Sequence, residues 1–127
     1  GRVQLMFESL NSISPFAHSG QVRALAVTGD HRSPAFPDLP TVAEAGVPGY
    51  SAATWAGVIA PAGVPRPIID KLNAAINRAI ASQSFKTRFA SIGDEPAGGT
   101  PEEFAATIAS DSKKWGEVIK RAGIKFE

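Results

Sequence analysis

Apolar side chains recur along this chain with two different periods, and the switches between them mark out its elements. Val3, Leu5 and Phe7 fall at alternate positions with Met6 on the other face, which predicts a short buried strand over Val3–Phe7. The spacing then lengthens. Leu10, Ile13, Phe16 and Ala17 recur at helical intervals, predicting a helix over Ser9–Ser19 with Gly20 as its terminator. Pro15 is costly outside a first turn, which moves the expected start towards Ser12 or Ser14. Val22–Thr28 is an apolar run broken only by Arg23, the pattern of a strand covered on both faces of a parallel sheet. Strand, helix and strand in succession form a βαβ unit with a right-handed crossover, so the expected fold class is α/β.

Pro34, Pro37, Pro40 and Pro48 then exclude regular structure except for a short turn over Thr41–Ala45, capped by Thr41 and ended by Gly46. Ser51–Ala60 reads as a long strand with Trp55, Val58 and Ile59 buried. Arg66–Ala81 has the clearest amphipathic pattern: Ile68, Ile69, Leu72, Ile76, Ala79 and Ile80 share one face, and Asp70, Lys71, Asn73, Asn77 and Arg78 lie away from it. Phe85, Phe89 and Ile92 make a shorter stripe ending at Gly93. The last helix has a fully specified start, with Thr100 as N-cap, Pro101 in the first helical position and Glu103 closing a capping box. Its apolar face runs from Phe104 through Ile108, Trp115, Val118, Ile119 and Ala122 to a stop at Gly123. At ~1.5 Å per residue it is about 33 Å long.

Composition narrows the classes of function. A hydrophobic share of 43% and a charged share of 20% are those of a globular domain and exclude disorder. No apolar run approaches the roughly 20 residues that cross a bilayer. Thirteen basic and twelve acidic side chains are interspersed and leave a net charge of +1, so there is no field to steer nucleic acid, and no nucleic-acid partner is expected. With no cysteine there is no disulfide, thiol nucleophile or thiolate metal site. A strand beginning almost at residue 1, with no leader before it, predicts a fragment of a longer protein.

Catalytic constellations are missing from the pattern. His18 and His31 lie in no metal-ligand spacing, and no GxSxG elbow, P-loop or GxGxxG occurs. The pairs Asp94-Glu95 and Glu102-Glu103 read as a solvated turn and a helix N-terminus. No catalytic residue, metal or cofactor is therefore expected. The loop after the first strand is the better place for ligand chemistry, because ligands of open α/β sheets bind beyond the carboxyl ends of strands. Glu8, Ser9, Asn11 and Ser12 fall there, where a helix start presents free amides and hydroxyls to an anion. The alternative is that they only cap the helix. Glu8 would repel an anionic group nearby, unless a cation or water intervenes or it turns away to pair with Arg2. Trp55 offers a flat surface with one donor, suited equally to a cleft wall and to a core, whereas Trp115 sits on a core-facing stripe.

These residues also carry a resemblance. VQLMF, GQVRALAVTG from Gly20, RSPAFPDLPTVAEAGVPGY from Arg32, Trp55-Ala56-Gly57 leading to APAGVP, KLNAAINRAI, GDEPAGGTPEEFA and KWGEVIKRAGIK follow in order. Together they resemble the C-terminal half of the Bug family, the periplasmic receptors of tripartite tricarboxylate transporters. The resemblance implies part of a type II periplasmic binding-protein architecture of two α/β lobes around a cleft. Residues 1–54 would belong to the second lobe, and 55–127 would contain the crossover strand and the C-terminal helical part of the first.

It further implies a periplasmic protein, not an enzyme, that captures a small carboxylated solute (a dicarboxylate, tricarboxylate, acidic amino acid or aromatic acid) and delivers it to membrane transporter subunits. Carried over position by position, the ligand-binding residues are Glu8 and Ser9 after the first strand, with Thr54 and Trp55 at the crossing. Family members often have aspartate where Glu8 stands. Apolar faces left without their usual cover predict association of the fragment into a homo-oligomer, or rearrangement. Two other readings stay open: a small α/β hydrolase or isomerase, which would need a base beside one of the serines, and a structural interaction domain without ligand.

Overall fold

Helix boundaries follow the capping residues closely. The computed structural model describes residues 2–125, and its helices are α1 (Leu10–His18), α2 (Arg66–Ala81), α3 (Gln83–Ala90) and α4 (Pro101–Ala122). In α4 the Thr100 hydroxyl accepts from the Glu103 N–H at 3.1 Å, and the Glu103 carboxylate accepts from the Thr100 N–H at 2.7 Å. Its far end is closed by Gly123, whose φ of 66° is the left-handed conformation that lets a final N–H turn back onto Ile119 and Lys120 carbonyls. Ser82 caps α3, along which the Phe85 and Phe89 rings stack 4.2 Å apart.

The start of α1 departs from expectation. The helix opens at Leu10 with Ser9 as N-cap, so Pro15 lies inside it rather than in its first turn. Pro15 removes one i→i−4 donor; in the next turn the His18 Nδ1–H donates to the Ser14 carbonyl at 2.9 Å, and the imidazole stacks on Phe36 with centroids 4.7 Å apart. His18 is thus a structural tie at the end of α1.

The three expected strands form no sheet among the described residues. Val3–Phe7, Val22–Thr28 and Ser51–Ala60 are non-helical, and the β-bridge found is a parallel one from Val27 to Thr41 in the proline-rich loop. Val27 donates to Pro40 O and Val42 donates to Val27 O, both at 2.9 Å, while Ala52 donates to Thr28 O at 2.8 Å. A β pattern becomes a ladder only when a neighbour in register takes its N–H and C=O groups. Here the neighbour of Val22–Thr28 is the proline-rich loop, which can pair over a single residue.

That loop is ordered by its own polar groups. Thr41, 2% exposed, accepts from the Glu44 N–H at 3.0 Å and returns its own N–H to Glu44 Oε2 at 2.8 Å. Arg32 Nε donates to the same carboxylate at 3.0 Å. Both contacts hold the Glu44 carboxyl below its usual range, the Thr41 amide first and the Arg32 guanidinium next.

The chain divides into two compact units. One comprises Gly1–Ala56 and Ile80–Pro96, the other Gly57–Ala79 and Ala97–Glu127. In the first, Leu10 packs within 3.0 Å of where a side chain on Gly93 would begin. In the second, Arg66 links the starts of α2 and α4, bonding Asp70 at 2.7 Å and Glu102, and the Asn77 amide clasps the Gly99 backbone, accepting its N–H at 3.0 Å and donating to its carbonyl at 2.9 Å. Neither unit contains a buried hydrophobic residue among those described.

Candidate functional site

Glu8 and Ser9 stand together at the N-terminus of α1. Glu8 is exposed, and its Oε1 accepts from the Ser9 N–H at 2.9 Å and from the Ser9 hydroxyl at 3.1 Å. Ser9 Oγ also lies 3.0 Å from Ser12 Oγ, and Ser12 donates onward to Asn11 Oδ1 at 3.3 Å. Ser9 therefore caps the helix by backbone geometry alone, without a side-chain cap bond. The Ser12 and Ile13 amides both turn back onto the Ser9 carbonyl. Helix geometry leaves the Leu10 and Asn11 amides with no partner inside α1. What results is an exposed helix start with free amides and two hydroxyls, with one carboxylate already resting on it.

Thr54 and Trp55 lie in the segment between Ser51 and Ala60, both exposed, with Trp55 at 47%. They share the first unit with Glu8 and Ser9. The segment around Trp55, from Ser51 to Pro65, holds no charged residue.

One polar cluster in this unit was not evident from the sequence. His31 Nδ1 lies 2.6 Å from Asp30 Oδ1, and its Nε2 lies 3.3 Å from Glu95, which is 64 positions away. Hydrogen bonds that the imidazole donates to Asp30 first and Glu95 next raise it above its ordinary pKa, and the same contact with His31 lowers that of Asp30. Glu95 also borders a shallow cleft of about 260 Å³ with Ser33, Ala35, Lys86, Gly93 and Asp94. Adjacent carboxylates at 94–95 were the sole sequence signal here, and they do not indicate the loop that meets them. Among the described residues no His, Asp and Glu group has the arrangement of a metal site.

Residues 1–124 match the model of the tripartite tricarboxylate transporter family receptor. The chain belongs to this family. It is 42% identical over 120 residues to a UPF0065 protein encoded between tcbD and tcbE in a Pseudomonas species, covering 94% of this chain and 36% of that protein. It is 35% identical over 127 residues to BugT of Bordetella pertussis, covering all of this chain and 39% of BugT. Among solved structures, an R. palustris protein with adipate aligns with a TM-score of 0.86 at 40% identity, over 98% of this chain and 42% of its own. The periplasmic binding protein BugD aligns with a TM-score of 0.78 at 34% identity, over 91% and 39%. The chain thus has part of a periplasmic binding-protein fold and spans about two-fifths of the length of these relatives.

Proposed function

We propose that this chain is part of a periplasmic receptor that captures a small carboxylated solute for a tripartite tricarboxylate transporter, making and breaking no covalent bond. The observation that carries this reading is the alignment with the adipate-containing R. palustris protein, which extends over 98% of the chain at 40% identity. Residues 1–54 are assigned to one lobe of the receptor, and 55–127 to the crossover and the helical part of the other.

Ligand contact is assigned to Glu8, Ser9, Thr54 and Trp55. Main-chain amides at the start of α1 and the Ser9 hydroxyl meet a solute carboxylate, a use of a helix N-terminus that needs no basic side chain. Glu8 already accepts from the Ser9 N–H and hydroxyl. An arriving carboxylate has to displace it, so Glu8 disfavours weak anions and leaves the site to solutes with a second anchoring group. Trp55 provides an apolar wall for a methylene chain.

The test exchanges this chain for the matching segment of the R. palustris receptor and titrates the folded product with C4 to C8 dicarboxylates, acidic amino acids, aromatic acids and hexanoate. Saturable binding of a carboxylated solute, with ~2.7 kcal/mol of stabilisation at about 100 times its Kd, is the expected result. A folded exchange receptor that binds none of them overturns the proposal.

A further inference from the structure

One cleft of the first unit carries two opposite charges that do not meet. Lys86 on α3 and Asp94 in the segment after it both border the cleft of about 260 Å³, with Pro34, Ala90 and Pro96 among its other walls. Among the described residues Lys86 forms no ion pair, and the bond that Asp94 accepts comes from a neutral group, the Asn11 side-chain amide at 3.2 Å. Glu95 on the same cleft differs, because His31 already lies beside it at 3.3 Å. Asp94 is also half-buried, where a carboxylate without a cation is costlier than at a fully wetted surface.

Two unpaired charges of opposite sign within one cleft, set among proline and alanine, suit a ligand that bears both charges at the ends of an apolar stem. The volume lies just under the ~300–1,000 Å³ of ordinary small-molecule pockets, which restricts that stem to a short one. An α-amino acid fits less well, since its two charged groups share one carbon and do not bridge a gap. We infer that this cleft binds a short ω-amino carboxylate, with the carboxylate on Lys86 Nζ, the ammonium on Asp94 and the methylenes against Pro34, Ala90 and Pro96. None of Glu8, Ser9, Thr54 and Trp55 borders the cleft, so the inference does not depend on the receptor reading.

The experiment titrates the full 127-residue chain, isotope-labelled, with ε-aminocaproate and γ-aminobutyrate at low ionic strength and reads its backbone amide resonances. Saturable shifts grouped at Ala35, Lys86 and Glu95 are expected in the millimolar range, with caproate, hexylamine and alanine each weaker by about threefold or more. Lys86→Gln and Asp94→Asn should each weaken binding about threefold or more, with the amides remote from the cleft unmoved, and Lys113→Gln on α4 should leave it unchanged. Shifts that caproate or hexylamine reproduces at equal concentration, shifts centred on Ser9 and Trp55, a titration that does not saturate, or indifference to both cleft variants would each overturn the inference. Binding of ε-aminocaproate at the cleft by a chain whose exchange receptor takes no carboxylate at Ser9 would support it and count against the receptor reading instead.

Discussion

The backbone of Gly57 lies against the tip of the Phe104 ring, so close that a Cβ on Gly57 would overlap the ring atoms. The pair joins the segment entering the second unit to the first turns of α4. In the exchange receptor Gly57→Ala should destabilise by about 1–2 kcal/mol, because the ring must leave its rotamer. Phe104→Ala should remove most of that penalty, and thermal melts of the double-mutant cycle would show the non-additivity.

The start of α4 gives a cleaner expectation, since the Thr100 and Glu103 side chains each satisfy the other's backbone amide. Thr100→Ala should cost about 1 kcal/mol and fray the first turn, with faster amide exchange at Glu102 and Glu103. Thr100→Ser should retain most of the stability. Equal loss in both variants would show that the hydroxyl is not what holds the turn.

The Asp30–His31–Glu95 cluster ties the loop after Thr28 to the segment after α3 in a pH-dependent way. The folded pKa of His31 is raised above its ordinary 6.5, so the cluster's contribution is full below that value and is lost as pH rises through the folded one. The folded pKa of Asp30 is lowered from its ordinary 3.8, so its contribution is full above that value and is lost as pH falls through the folded one. The tie is therefore strongest between the two ordinary values. An NMR titration should place His31 above 6.5, Glu95→Gln should move it back towards 6.5, and added salt should reduce the difference, because all three side chains are exposed.

At the proposed ligand site the two neighbouring residues should act in opposite directions. Ser9→Ala removes a donor and should weaken dicarboxylate binding by roughly fivefold, equivalent to ~1 kcal/mol. Glu8→Gln removes a like charge from the donors and should tighten binding, more so at low ionic strength. Calorimetric titrations in which neither change alters affinity would place the solute elsewhere.

Helices could be read from the sequence because their signals are local. Thr100, Pro101, Glu103 and Gly123 fix α4 within one stretch of chain, and Ser82 does the same for α3. The strands could not be read to the same depth. Val22–Thr28 has the apolar run of a covered strand, yet pairing depends on what lies alongside, and only Val27 forms a bridge. Pro15 misled for a related reason: propensity alone places it near a helix start, whereas α1 begins at Leu10 and contains it. At the site, the adjacency of Glu8 and Ser9 was legible because it is a helix start, but the meeting of His31 with Glu95 across 64 positions was not.

The lack of any buried apolar side chain among the described residues bears on how thermal melting of this chain should be read. Burial of apolar surface is what gives unfolding its large heat-capacity change, so that change should be small here and the melting transition shallow and broad.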